Sequence, residues 1–193
     1  YSINKLGIKK FAILYPKDRF GETMMSLFWN DVLLFNGEVV AIEGYERDKY
    51  DFAREIRKIV GTKKVDKEDE TDEIDKIFTI VDFDAVFIPD SYDKAAVIAP
   101  QFLYNDVRGL KLIGPNSWNS AKLVEMGGEY VEDSIFTAGF YADSEYEDAK
   151  LFNGKFESVF GEKPGTLEAQ SYDAAMMLVQ FMKSGEAKSR IEM

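Results

Sequence analysis

Residues 11–15 of the sequence read FAILY and are followed by Pro16. A short apolar run of this kind, bounded by proline, indicates a strand that is buried on both faces. Four further runs recur along the chain, and each predicts another strand. They are residues 38–45 (EVVAIEGY), 84–89 (DAVFIP), 110–114 (LKLIG) and 134–141 (SIFTAGFY).

Segments with a helical spacing of apolar residues lie between the predicted strands. Within residues 21–36 the apolar positions include Met24, Phe28 and Val32, and Gly37 stands where a glycine commonly follows a helix. Further helices are predicted over residues 51–60, 91–104 and 119–126. Strands that alternate with helices predict an α/β fold, a doubly wound and mostly parallel five-stranded sheet flanked by helices.

Two segments break this alternation. Residues 62–75 are highly charged, and we expect a solvated excursion that leads into a short helix ending near Val81. Its acidic cluster lacks the D-x-D-x-D-G spacing of a calcium loop, so no metal site is predicted there. In the tail, residues 144–160 and 167–182 predict two extra C-terminal helices with no strand between them.

The composition excludes several classes of function. The 193 residues contain no Cys and no His, which removes disulfides, thiolate and imidazole metal sites, and every Ser-His-Asp mechanism. Lys plus Arg is 24 and Asp plus Glu is 35, so the net charge of −11 argues against nucleic acid as a partner. No glycine-rich phosphate-binding motif is present. We therefore predict no catalytic residue and no cofactor, and we do not expect an enzyme.

The candidate binding residues follow the predicted strands. In open parallel sheets ligands bind beyond the carboxyl ends of the strands, and here those ends are rich in aromatic and small polar side chains. Such a rim suits a small polar ligand with an apolar part. Alternatively, the same residues cap helices and pack against the core. The candidates are Phe20, Asp90, Ser91, Tyr92, Asn116, Ser117 and Trp118.

Several stretches, taken in order, resemble one known family. Residues 9–22 (KKFAILYPKDRFGE) are similar to the opening of the second lobe of type I periplasmic binding proteins, the branched-chain amino-acid receptor group. Residues 83–91 (FDAVFIPDS), 111–120 (KLIGPNSWNS) and 160–175 (FGEKPGTLEAQSYDAA) fit the same pattern. The resemblance covers nearly the whole chain. It implies that residues 1–142 form a second lobe and that residues 143–193 are helices of an incomplete first lobe.

This resemblance implies a periplasmic solute-binding receptor of an ABC-type transport system, with a small-molecule ligand and a membrane permease as partners. We expect the export signal to lie outside this segment. The resemblance also implies that Phe20 packs over the ligand and that Asp90, Ser91 and Tyr92 offer contacts to it. Amino-acid-binding members have an acidic residue where this sequence has Asn116. A neutral amide does not offset a buried ammonium, so an ordinary α-amino acid is disfavoured unless Asp90 takes that role.

A second branch of the same superfamily, the lipoprotein activators of penicillin-binding proteins, is also similar. It implies a non-enzymatic domain that docks onto a penicillin-binding protein in cell-wall synthesis. The charged residues 62–75 resemble insertions in that group.

The tail helices carry an apolar stripe that we expect to be exposed. Exposed apolar patches are typical of interaction surfaces, so these helices should fold back on the preceding part of the chain or pair as a homodimer. The stripe consists of Phe152, Phe156, Phe160, Met176, Met177 and Phe181.

Overall fold

The computed structural model describes residues 1–64 and 77–184, with only the backbone for residues 62–64 and 77–79. The chain divides into two compact units, Tyr1–Thr137 and Ala138–Met193. The first unit contains all the β-strands of the described residues, and the described part of the second contains two helices. That these units belong to two different lobes stays a prediction.

The strands of the first unit form one main sheet and one hairpin. The main sheet is entirely parallel, which confirms the predicted fold class. The strands are β1 (Lys10–Pro16), β2 (Glu38–Tyr45), β3 (Gly61–Lys64), β4 (Ile77–Ile80), β5 (Ala85–Phe87), β6 (Lys111–Gly114) and β7 (Ile135–Phe136). The order in the main sheet is β2-β1-β5-β6-β7, and β3 pairs with β4 alone.

Among the described residues, four α-helices belong to the first unit and two to the second. They are α1 (Arg19–Leu34), α2 (Ala53–Ile59), α3 (Tyr92–Tyr104), α4 (Ala121–Gly127), α5 (Glu147–Phe160) and α6 (Thr166–Ser184). Short 3₁₀ turns, Asn116–Trp118 and Gly128–Val131, flank α4. No helix in the described ranges is both long enough and apolar enough to span a membrane.

The sheet has an apolar core on each face because neighbouring residues of β1 point to opposite sides. Leu14 lies in the core on one face, together with Ile56 of α2 and Ile98 of α3. Ile13 lies in the core on the other face, together with Val32 of α1. Helices therefore cover both faces, as the continuous apolar strands predict.

Two predictions about the strands and helices need correction. The prediction of a short helix ending near Val81 is wrong, because Ile77–Ile80 forms β4 and pairs antiparallel with Gly61–Lys64. Pairing with a distant segment here overrides local helical spacing. The expected excursion over residues 65–75 lies outside the described residues. The strand predicted over residues 134–141 is much shorter, since β7 holds only Ile135 and Phe136.

In the second unit, part of the expected apolar stripe is covered. Phe152 is only 8% exposed, which corrects the expectation for this residue. Its ring centroid lies 4.7 Å from that of Tyr172 and 5.8 Å from that of Phe140. Phe160 and Met177 remain 64% and 65% exposed. The rings between α5 and α6 thus form a small core, and the outer apolar residues stay at the surface.

Candidate functional site

The candidate residues lie at the carboxyl edge of the main sheet. In the strand order β2-β1-β5-β6-β7 the chain changes direction across the sheet between β1 and β5. The helices that follow these two strands pack on opposite faces, α1 on one and α3 on the other. Ligands of open parallel sheets bind at such a switch point, where the diverging loops leave a crevice.

The carboxylate of Asp90, which follows β5, accepts three hydrogen bonds from neighbouring donors. The Tyr45 hydroxyl donates to Oδ2 at 2.7 Å, and the Ser91 backbone N–H donates to Oδ1 at 2.7 Å. The Ser91 hydroxyl adds a longer bond of 3.3 Å to Oδ1. Asp90 is only 4% exposed. Its carboxylate therefore binds the protein's own donors in this structure.

The backbone carbonyl of Asp90 ties the loop after β6 to the loop after β5. The Ser117 hydroxyl donates to it at 2.8 Å and the Trp118 indole N–H at 3.0 Å. Trp118 is completely buried. Gly114 makes room for its ring, because a Cβ at Gly114 would lie 2.1 Å from the indole Cδ2. The two loops are thus held in one fixed arrangement.

Tyr45, the last residue of β2, is a member of this group that the sequence did not reveal. It is 1% exposed. Burial, helped by the neighbouring Asp90 carboxylate, raises the pKa of the Tyr45 phenol far above its usual value. The hydroxyl therefore stays protonated and acts as a donor. The signal that could have found it is a tyrosine that ends a buried strand, since a buried phenol needs a polar partner.

Asp18 joins the loop after β1 to the end of β2. Its Oδ1 accepts the Gly21 backbone N–H at 2.8 Å and caps α1, and its Oδ2 lies 2.9 Å from Arg47 Nε. Gly21 is needed there, because a Cβ would lie 2.1 Å from the Pro16 carbonyl oxygen. Phe20 stands beside it in the first turn of α1 and is 47% exposed.

The structure brings four of the seven predicted residues into one bonded group and leaves three at its margin. The group consists of Asp90, Ser91, Ser117 and Trp118. Tyr92 is half-buried against the core, and Asn116 and Phe20 are exposed. Because Asp90 and Trp118 are buried, the surface available to a ligand comes from the other five residues.

An apolar groove of about 670 Å³ lies elsewhere, on the face of the sheet that α1 covers. None of the seven predicted residues lines it. Its walls include Phe28, Phe87, Ile113 and Ile135, with residues 1–4 at one side. In the described part of the first unit the opposite face carries α2, α3 and α4, whereas this face carries α1 and residues of the N-terminal segment. The groove is therefore a less covered part of the sheet and not the predicted site.

Within the described residues no group of three or more acidic side chains could hold a metal ion. The site consists of aromatic rings, hydroxyls and one amide around a buried carboxylate. Such an arrangement can bind and orient a small molecule through hydrogen bonds and ring contacts.

Comparisons with solved structures identify proteins of similar fold. The leucine-binding protein LivK from Thermotoga maritima has a TM-score of 0.68 and 19% identity, over 100% of this chain and 49% of that one. LivJ from Streptococcus pneumoniae, a branched-chain amino acid transporter substrate-binding protein in complex with isoleucine, has a TM-score of 0.64 and 23% identity. The match covers 100% of this chain and 49% of LivJ. An ABC-transporter solute-binding protein from R. palustris, in complex with benzoate, has a TM-score of 0.58 and 19% identity. The match covers 92% of this chain and 43% of that protein.

The chain spans about half the length of these solved relatives. At such identities the likeness establishes the fold. A search of curated proteins gives no match. A sequence profile described as periplasmic binding protein matches residues 1–191. Since that match covers nearly all of the 193 residues, the chain belongs to the periplasmic binding protein family.

Proposed function

We propose that this chain is part of a solute-binding receptor of an ABC-type transport system. The receptor captures a small polar or amino-acid-like ligand in a cleft between two lobes and carries out no chemical step. The observation that carries the proposal is the bonded group around Asp90. It fixes the loops after β5 and β6, and through Tyr45 the end of β2, as one edge at the switch point of the sheet.

Residues 1–142, which include the first unit, form the second lobe, and residues 143–193 contribute helices to the first lobe. The exposure of α5 and α6 supports this assignment. Leu167 and Val159 are each 72% exposed, and Met177 is 65% exposed. Apolar side chains in such number on two helices are typical of a surface that packs against another part of a protein.

The ligand meets five residues of this edge: Phe20, Ser91, Tyr92, Asn116 and Ser117. Phe20 covers an apolar part of the ligand, and the hydroxyls and the amide bind its polar part. Since the Asp90 carboxylate already accepts three hydrogen bonds, it is poorly placed to receive a ligand ammonium. Carboxylic acids without an amino group therefore belong in the ligand panel beside amino acids.

The receptor works in the periplasm and delivers its ligand to a membrane permease. The other interpretation of the sequence, a domain that activates a penicillin-binding protein, gains no support from the bonded edge, which lies at the switch point of the sheet. A pull-down with the full-length protein separates the two, because an activator retains a cell-wall synthase in the absence of any small molecule.

The decisive experiment is a thermal-shift screen of the full-length precursor. The panel contains leucine, isoleucine, phenylalanine, asparagine, benzoate and phenylpropanoate. A ligand at 100 times its Kd should raise the free energy of unfolding by about 2.7 kcal/mol. If no compound in the panel shifts the melting temperature, the proposal is contradicted.

A matched pair of variants locates the binding edge. Phe20→Ala should weaken binding, whereas Phe35→Ala should not. Phe35 is 49% exposed and follows the other end of α1, so it matches Phe20 in size and exposure but lies at the opposite edge of the sheet. Equal binding by both variants would place the ligand elsewhere.

A further inference from the structure

We propose that Tyr50, in the loop between β2 and α2, is a further ligand-facing residue, and that Lys94 and Gln101 of α3 are positioning residues that hold it there. The inference rests on the proposed function and extends the binding edge by one loop. Tyr50 was not among the residues predicted from the sequence.

The loop between β2 and α2 lies at the same edge as the Asp90 group. It leaves the carboxyl end of β2, which is parallel to β1, and it begins directly after Tyr45. The hydrogen bond from Tyr45 to Asp90 fixes this exit beside the start of α3. Lys94 lies three residues after Ser91, about 4.5 Å further along the helix axis. Because the Lys94 ammonium lies 3.9 Å from the centroid of the Tyr50 ring, that ring lies beside the part of α3 that follows Ser91 and Tyr92.

Gln101 binds the backbone of the loop at Tyr50 and at Phe52. Its amide nitrogen donates to the Tyr50 carbonyl at 2.9 Å, and its carbonyl oxygen accepts the Phe52 backbone N–H at 2.7 Å. A single side chain of α3 thus satisfies a donor and an acceptor of the loop. These two bonds fix the direction in which the Tyr50 side chain leaves the backbone.

Lys94 contacts both the backbone of Lys49, the residue before Tyr50, and the aromatic ring of Tyr50. Its ammonium donates to the Lys49 carbonyl at 2.6 Å and lies 3.9 Å from the centroid of the Tyr50 ring. Lys94 is only 8% exposed. Burial of an ammonium is costly, and a carbonyl together with a ring face offsets that cost. Removal of the Lys94 ammonium would therefore release both the Lys49 carbonyl and the Tyr50 ring.

An ion pair between Lys49 and Glu55 completes the anchoring. The Lys49 ammonium lies 2.6 and 2.7 Å from the two oxygens of the Glu55 carboxylate, and Glu55 is 7% exposed. The backbone of the loop is therefore anchored at residues 49, 50 and 52, while Tyr50 remains 69% exposed. An aromatic ring held in place before binding loses little conformational entropy when a ligand contacts it. Its open surface suits a planar or apolar part of the ligand.

The test measures binding of isoleucine and of benzoate by the full-length protein. Tyr50→Ala should weaken, at least tenfold, binding of whichever of the two compounds the wild-type protein binds. Tyr104→Ala is the matched control, because Tyr104 is 80% exposed at the opposite end of α3. Lys94→Met keeps the side-chain length and removes the charge. It should weaken binding by a similar factor, and the double variant Tyr50→Ala/Lys94→Met should lose no more than either single variant.

Hydrogen exchange of the ligand-free protein supplies a second readout. Lys94→Met and Gln101→Glu should both speed exchange of the amides of residues 49–52 without a matching change in the rest of α3. Unchanged exchange in both variants overturns the positioning role. Unchanged affinity in Tyr50→Ala, with binding intact in the wild-type protein, overturns the contact and leaves the proposed function standing. A wild-type protein that binds no compound of the panel overturns the proposed function and this inference with it.

Discussion

Tyr45 donates a hydrogen bond to Asp90 across 2.7 Å, although β2, which ends at Tyr45, and β5, which precedes Asp90, are not neighbours in the sheet. β1 lies between β2 and β5, so the tyrosine side chain crosses the end of β1. The bond therefore links the two sides of the switch point. With Ser117 and Trp118 bound to the Asp90 carbonyl, loops from three strands depend on one residue.

Loss of this bond should destabilise the protein. Tyr45→Phe removes one donor from a buried carboxylate, and an unsatisfied buried polar group costs roughly 1–3 kcal/mol. The free energy of unfolding, measured by urea denaturation, should fall by that amount. Tyr104→Phe removes a hydroxyl from an exposed tyrosine and should leave it unchanged. If the two variants are equally stable, the bond from Tyr45 to Asp90 contributes nothing measurable.

The same tyrosine should make stability fall at alkaline pH. Its pKa is raised by burial in the folded state and is about 10 in the unfolded chain. Below pH 10 both states are protonated and the full stabilisation is present. Above pH 10 the unfolded state releases the proton first, so the free energy of unfolding falls by up to about 1.4 kcal/mol per pH unit.

Urea denaturation of the wild-type protein and of Tyr45→Phe between pH 8 and pH 11 checks this expectation. The difference between the two should be constant up to about pH 9 and should shrink above pH 10. Other tyrosines contribute equally to both proteins and cancel. A difference that grows with pH would contradict the sign of the shift.

Much of the sheet could be predicted from the sequence because parallel strands covered on both faces are continuous apolar runs. The strand predicted over residues 38–45 coincides with Glu38–Tyr45. The hairpin could not be predicted, since Gly61–Lys64 reads GTKK and has no apolar run of its own. Its strand character comes from pairing with Ile77–Ile80, and a pairing between separate segments leaves no local pattern.

The sequence could predict that several candidate residues lie at one edge of the sheet, but not which of them bind each other. Asp90, Ser91, Ser117 and Trp118 were placed at strand ends, and the order of the strands brings them together. Which donor meets which acceptor depends on the order of strands in space, and a single sequence does not contain that order. Tyr45 was missed for this reason, because its partner lies two strands away. The ligand contacts themselves stay a prediction.

Gly114 should be intolerant of any side chain. A methyl group there would lie 2.1 Å from the Trp118 indole, so Gly114→Ala must displace the ring or the strand. Overpacking of this kind costs about 1–3 kcal/mol, and displacement also breaks the bond from Trp118 to the Asp90 carbonyl. In a Trp29→Phe background Trp118 is the only tryptophan, and its emission should shift to the red.

Gly154→Ala provides the control for this change. Gly154 lies within α5, and a Cβ there meets nothing within 4 Å. Replacement of a helical glycine by alanine should stabilise the helix by roughly 0.5–1 kcal/mol. Unfolding curves in which Gly114→Ala is as stable as Gly154→Ala would show that the ring has room to move.

The exposed apolar residues of α5 and α6 should cause this chain to associate with itself when it is produced alone. Phe160 and Met177 are 64% and 65% exposed, and large apolar patches favour association in water. Sedimentation equilibrium should detect a dimer at micromolar concentration, and Phe160→Glu combined with Met177→Glu should shift it to monomer. Glu22→Gln, a change in charge on α1, serves as the control and should leave the association unchanged.

Co-expression with the remaining half of the full-length protein should abolish the dimer if these helices belong to the first lobe, because that half then covers the same residues. A dimer that persists beside a correctly folded complementary half would mean that the two helices form an interface of their own.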